Sequence, residues 1–485
     1  MKSLPRVLLM AAALAMLIPI CAFRPEQALS AGQESAAQKI GSDILVTAAP
    51  VYEPLAALHG GERFPRGAQL LRVRDGKAQP LVNGFAASAD ANVSFDGKRV
   101  LFAGKKAAGD AWQIWELSFE DHSLRRLIAG EGDAIRPFYL PGGRLVYARR
   151  TAQGFRIEAA GKDGLPVSHP VDEQVGSLVQ PLTYFPGSAI PADVLADGRI
   201  LFEAEFPLGT GSTPELFLVY SDGSGVESYR CDHGKARWGG KQLASGDVVF
   251  THGGSLARFT SPLANEAPIV APHAEYAGAM AETAAGDWLM SAGAGAGAHY
   301  ALKLWRQAAS LKSTAGALET VIAMSGENLV EPVLIAPRTR PKRHPSGLHD
   351  WSYANMLALD ARQSREGDLK VAPASVRLET LDAVGHRIVT GTAPVEADGS
   401  FLVKTPADRP IRFALLDAKG AVVRREHGWF WIRRGEQRIC AGCHTGPERS
   451  SENRVPAVLQ RTTTAFDLSG AKMLTDAKAA PEKGN

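Results

Sequence analysis

The stretch Val93-Ser94-Phe95-Asp96-Gly97-Lys98-Arg99-Val100-Leu101-Phe102 runs a tight turn into an apolar β segment, and the same pairing recurs along the chain. Further copies are Gly41 to Val46, Gly142 to Tyr147, Asp197 to Phe202, Gly246 to Phe250 and Gly286 to Met290. Their turn glycines Gly41, Gly97, Gly143, Gly198, Gly246 and Gly286 step by 56, 46, 55, 48 and 40 residues, which are propeller-blade lengths. Most copies are followed by a second strand-like run: Gln69 to Val73, Trp112 to Leu117, Phe155 to Ala159, Leu216 to Tyr220, Leu256 to Phe259 and Tyr300 to Leu304. A turn, an inner strand and a returning strand per repeat predict one four-stranded blade for each copy, six in all, over residues 40–325. The Asp-Gly turns read as structural, because a tight hairpin needs the positive φ that Gly tolerates.

Composition agrees with this. The chain has 485 residues, too many for one ordinary core, and its 49 Gly and 30 Pro favour turn-rich β structure over a helical bundle. With 45% hydrophobic and 22% charged residues it is globular. A net charge of +3 with no basic run interleaved with aromatics gives no reason to expect nucleic acid as a partner.

Lys2 and Arg6 precede an apolar run from Val7 to Ala22, and Ala28-Leu29-Ser30 offers a cleavage site, so residues 1–30 read as a secretory signal peptide. An uncleaved anchor competes, but the run is shorter than the roughly 20 residues a spanning helix needs. A lipoprotein signal around Cys21 is disfavoured by the bulky Ile18-Pro19-Ile20 before it. No other stretch is apolar enough to cross a bilayer, so the mature chain is expected to be periplasmic or otherwise exported, with no membrane span.

The leader aside, Cys231, Cys440 and Cys443 remain, and three thiols cannot all pair in an oxidising compartment. Cys231, with only His233 close by, reads as a small buried hydrophobe. Residues 440 to 444, Cys-Ala-Gly-Cys-His, have the C-x-x-C-H pattern of covalent c-type haem attachment. Two thiols at this spacing reach the two vinyl groups on one porphyrin edge, and the adjacent imidazole reaches the iron. Cys440 and Cys443 would form the thioethers of one haem c and His444 would be the axial ligand of its iron.

Three other uses of the motif are weaker. A thioredoxin-like pair needs a βαβ setting that is not visible here. A zinc site needs more ligands, and no Cys or His follows His444. A disulfide across two residues is strained. Met473 and His427 are the candidates for a second axial ligand, beside a five-coordinate iron or a more distant ligand. Two protein ligands favour electron transfer, and an open position permits substrate binding. Trp429, Phe430 and Trp431 would either cover the porphyrin or belong to a core.

Residues 326–366, with Pro332, Pro337, Pro341 and Pro345 among Arg338, Arg340, Lys342, Arg343 and His344, read as a basic, Pro-rich connector. Alternating strands over 367–432 read as a β-sandwich, 433–468 as the haem-binding segment and 469–485 as a disordered tail. The expected fold class is therefore all-β: a six-bladed β-propeller followed by a small β-sandwich bearing a C-terminal c-type haem segment.

The repeat around Val93 to Arg99 is similar to TolB and WD40-type propellers. The run Val395 to Phe401, Pro406 to Phe413 and Trp429 to Glu436, leading into Cys440 and Pro447-Glu448-Arg449, resembles the hydrazine synthase alpha subunit family. The resemblance covers most of the mature chain, weakly in the propeller and well from about 395 to 455. It implies an exported haem protein in which a sandwich presents one haem c beside a propeller. It does not carry hydrazine synthesis with it: that family's enzyme continues into a further haem domain, for which no motif follows here. Its catalytic haem is ligated by a tyrosine just past the motif, whereas no Tyr follows His444, which argues for ordinary His444 ligation.

Three functional readings follow. The leading one is a monohaem c-type cytochrome passing single electrons to a redox partner protein. The second is a hydrazine synthase-like haem enzyme acting on small nitrogen compounds. The third makes the propeller a partner-binding surface. No Ser-His-Asp set or phosphate loop supports a hydrolase, and His252 and His273 read as structural.

Overall fold

The computed structural model describes residues 40–161, 179–209, 211–295, 297–306, 317–364, 367, 369–382, 384–442 and 452–470, and these form eight four-stranded sheets. Six are antiparallel meanders in a ring, the arrangement of a β-propeller. The second blade shows the pattern: Ala87–Val93 innermost, then Arg99–Lys105, Gln113–Ser118 and Leu124–Ile128. The repeated apolar runs are strands of this ring, but they are the second strand of each blade and not the inner one. The innermost strands are Ala87–Val93, Ala134–Tyr139, Ala189–Val194, Trp238–Gln242, Glu275–Glu282 and Asn328–Leu334.

Asn328–Leu334 lies in the stretch read as connector, yet it pairs antiparallel with Ile44–Ala49 and completes the first blade. The ring is thus closed by strands from its two ends, and the propeller extends past residue 325. Beyond this strand the chain crosses the turns of blades two and four. The Arg338 N–H donates to Phe95 O at 3.0 Å and the Lys342 N–H to Ala196 O at 2.9 Å. Its basic residues are therefore partly engaged with the propeller and do not form a free linker.

Each innermost strand carries a register shift, one extra residue in five of them and two in Glu275–Glu282, that its neighbour does not match. In five blades a residue of this bulge has positive φ: Asp90, Arg136, Gly239, Gly278 and Glu331. The three charged ones meet at the hub. Arg63 pairs with both Asp90 and Glu331, Arg136 Nη1 lies 2.8 Å from Glu331 Oε1, and the Arg136 N–H donates to Asp90 Oδ2 at 3.0 Å. The Tyr52 hydroxyl donates to Glu331 Oε1 at 3.0 Å. Two arginines facing two carboxylates compensate one another in a place where a lone charge would cost several kcal/mol.

The remaining two sheets form a sandwich. One is ordered Arg387–Pro394, Ser375–Leu381, Ile411–Leu416, Val422–Arg425; the other is Gln437–Gly442, Tyr353–Asp360, Phe401–Pro406, Phe466–Asp467. Met356, Leu378, Phe401, Val403, Phe413 and Ile432 fill the space between them. The sandwich is larger than the 367–432 read from sequence. It takes Tyr353–Asp360 from the supposed connector and Gln437–Gly442 from the supposed haem segment. Both additions pair in parallel with each other, which no hairpin signal can announce. Among the described residues no helix is long and apolar enough to cross a membrane.

Candidate functional site

The end of the sandwich is fixed by the segment from Gly428 to Arg438. The Trp429 N–H donates to Leu208 O at 2.9 Å, and Trp431 Nε1 donates to Gly223 O at 2.9 Å. The Trp431 ring stacks on Phe185 with centroids 5.8 Å apart. Arg433 Nε donates to Asp222 O at 2.8 Å, its Nη1 to the Tyr184 hydroxyl at 2.6 Å, and it pairs with Asp408. The two tryptophans are thus buried against blades three and four, which removes them as a porphyrin cover. Phe430 turns the other way and packs with Phe413 on the sandwich side, centroids 5.9 Å apart.

From this anchor the edge strand Gln437–Gly442 runs parallel to Tyr353–Asp360, with Ala358 opposite Cys440. Arg438 and Cys440 point inward, while Ile439 faces out and is 66% exposed. The Cys440 thiol is not in a disulfide and packs at the rim of the sandwich core. Burial pushes this thiol above its usual range, and the carboxylates of Glu426 and Glu436 push the same way; the Arg438 guanidinium opposes them. A raised thiol pKa lowers the thiolate fraction on which redox exchange depends.

Of the other residues singled out in the sequence, Cys443, His444 and Met473 lie outside the described residues, as do the signal peptide and most of the tail. His427 is exposed, next in sequence to Glu426, whose charge reaches Cys440. Ser469 and Gly470 are the last described residues. Among the described residues no group of three His, Cys, Asp or Glu side chains could hold a metal ion. The chemistry of the donor set suits a covalent haem, with a thiol outside any disulfide on a strand that ends its sheet among the described residues and a motif carrying the second thiol and the imidazole; the Cys440 thiol itself packs inward, opposite the exposed Ile439.

Arg438 and Glu436 carry no signal of their own in the sequence, because three polar residues in a row, Glu436-Gln437-Arg438, show no alternation that would mark a strand. Arg438 donates to Val226 O and lies 5.8 Å from the Phe430 ring centroid, and the Gly225 N–H donates to Glu436 Oε1 at 3.2 Å. Both tie the strand that carries Cys440 to blade four.

His233 and His252 sit on propeller carboxylates: His233 Nδ1 is 2.7 Å from Glu215 Oε2 and His252 Nδ1 is 2.5 Å from Glu266 Oε1. His252 therefore does have a carboxylate partner, one that its neighbours in sequence do not reveal.

Residues 355–445 match the family model described as the hydrazine synthase alpha subunit middle domain. A stretch of 67 residues is 37% identical to hydrazine synthase subunit alpha of Kuenenia stuttgartiensis, and it spans 14% of this chain but 8% of that protein. Among solved structures, Kuenenia stuttgartiensis hydrazine synthase is similar with a TM-score of 0.73 at 17% identity, over 87% of this chain and 71% of that one. TolB from Acinetobacter baumannii is more distant, with a TM-score of 0.43 at 12% identity over 61% of this chain and 67% of that one. Ring and sandwich together share the hydrazine synthase fold, and residues 355–445 are similar to the middle domain of the hydrazine synthase alpha subunit family.

Proposed function

We propose that this protein is an exported c-type cytochrome of that family, with one covalent haem and a single-electron transfer role toward a redox partner protein. The observation that carries the reading is Cys-Ala-Gly-Cys-His at 440–444, whose first thiol stands on the edge strand of the middle domain. Cys440 and Cys443 would hold the porphyrin and His444 the iron. When bound, the haem supplies a one-electron iron couple.

The chain's own contribution is positional. Arg433, Glu436 and Arg438 pin the attachment strand to blade four, so the motif leaves from a fixed point. The Arg438 and Glu426 charges near Cys440 set the local field, one of the levers on a haem potential. Protein matured with a haem-attachment system and then reduced is expected to show the α-band of a c-type haem. A spectrum without it, with both cysteines at their unmodified mass, would end this reading.

A second reading, a haem enzyme acting on small nitrogen compounds, draws support from the name of the protein whose fold is shared over 87% of the chain. It requires an open iron position. Carbon monoxide and nitric oxide binding to the reduced protein separates the two: uptake favours the enzyme, and an unchanged spectrum favours the electron carrier with two protein ligands. The relative is named as a subunit, so a propeller face that docks a partner chain is compatible with either reading.

A further inference from the structure

Above the charged hub, the propeller encloses a cavity of about 840 Å³ that opens at the turn face, where Ala336 to Arg338 cross it. This is the volume of a small-molecule site and not of a packing defect. Its charged groups are mostly paired: Asp90, Arg136 and Glu331 in the hub, and Lys241 with Asp193 at 2.8 Å. Arg338 is different. Among the described residues no carboxylate lies within ion-pair distance of it. It is held instead by Val93 O (Nε 3.3 Å, Nη2 3.2 Å), Asn92 Oδ1 (Nη2 3.3 Å) and the Phe95 ring at 4.3 Å. These contacts leave Nη1 without a hydrogen-bond partner among the described residues.

Asn92 is buried, and its amide orientation is fixed by chemistry. Its Oδ1 accepts from the Tyr139 N–H at 3.1 Å and from Arg338, two groups that can only donate. Its Nδ2 must therefore point its hydrogens elsewhere, and no described residue accepts them. Two adjacent residues with spare N–H donors, one of them a cation with no carboxylate in ion-pair contact among the described residues, line the same cavity. Phe138, Val194, Leu243 and Met280 supply apolar wall.

We infer that the propeller cavity binds a small organic oxyanion, its carboxylate or phosphate held by Arg338 Nη1 and Asn92 Nδ2 and its apolar body lying against the wall. Paired donors on a planar fork are the usual answer to such a group. Glu282, also in the lining, accepts the Ala244 N–H at 2.7 Å.

The test is calorimetric titration of the full-length haem-loaded protein with acetate, hexanoate, inorganic phosphate and hexyl phosphate. Hexanoate or hexyl phosphate is expected to bind at least tenfold more tightly than its short counterpart, since each buried methylene is worth about fourfold. Which of the two binds better identifies the headgroup. Asn92→Asp keeps both bonds accepted at Oδ1 while replacing the donor by a negative charge, so it should fold normally and lose binding by tenfold or more. Arg338→Gln should do the same, and Arg340→Gln, on the same basic segment outside the cavity, should bind like wild type. No binding by any of the four probes, or equal weakening by Arg340→Gln and Arg338→Gln, would overturn the assignment. Haem content measured in parallel keeps this result independent of the electron-transfer reading.

Discussion

Glu331 shows what a single side chain does at the hub. Burial alone would raise its pKa, but the Arg63 and Arg136 guanidiniums, with the bond from the Tyr52 hydroxyl, outweigh it and hold the carboxylate down to about 2. A folded-state pKa below the unfolded one stabilises the fold above the unfolded value, and that contribution fades as pH falls toward the folded value. Glu331→Gln leaves two buried arginines short of an anion, and at pH 7 chemical denaturation should find it about 3 kcal/mol less stable. The gap between variant and wild type should close as pH drops from about 5 toward 2; a gap constant over that range would show that the charge is not what matters. Cysteine substitutions make a second test at this scale. Cys440→Ala should lose one thioether and most of its haem yield by mass spectrometry, whereas Cys231→Ala should match the wild-type haem content. Equal haem content in both variants would refute the assignment of Cys440.

At the scale of elements, the Asp197-Gly198 turn ties the chain beyond Asn328–Leu334 to blade four. Gly198 has φ +91°, and a Cβ there would lie 2.3 Å from Lys342 O. Gly198→Ala therefore combines a disfavoured backbone with a clash against main chain, and a loss of roughly 1–3 kcal/mol is expected in thermal unfolding. Faster proteolysis between Pro337 and Ser346 should accompany it, because the crossing segment loses its seat. This turn was legible as a repeat unit, and its glycine as a positive-φ position; its closeness to Lys342 was not, because packing between residues so far apart leaves no local trace.

The strands divide in the same way. Second strands such as Arg99–Lys105 and Ile200–Phe206 carry apolar runs, Val100 to Ala103 and Ile200 to Phe202, just behind Gly turns, and they stand out. The innermost strands are bulged, and three of them carry Asp90, Arg136 or Glu331 toward the hub, so they do not show as apolar runs. Gln437–Gly442 pairs in parallel, and its Cys440 belongs to both a strand and a haem motif; the motif was the louder signal. Cys440, Cys443 and His444 stood out as a pattern because covalent haem attachment, the use proposed for them, would fix both residue type and spacing, whereas Arg338 and Asn92 come together only through the ring.

For the whole molecule, the decisive question is whether ring and sandwich act as one body, because an attachment strand is only as well positioned as the domain that carries it. The joint is built around Trp431, fully buried against Phe185, with Arg433 and Arg438 bonded to carbonyls of blade four on either side. An interface of one large aromatic flanked by arginines that hydrogen-bond across it has the composition of an energetic hot spot. Trp431→Ala removes the aromatic and strands the Gly223 carbonyl, a loss of about 3–5 kcal/mol when the cavity does not collapse. Each domain keeps its own core, so the cost should fall on their coupling. Calorimetry should resolve a single wild-type transition into two, the sandwich melting first because it has two sheets against the ring's six. The haem potential should also spread in the variant, since the Arg438 charge moves relative to Cys440 once the strand is no longer pinned. A variant that still melts in one step at an unchanged temperature would mean that the domains are joined elsewhere and that the edge strand takes its position from the sandwich alone.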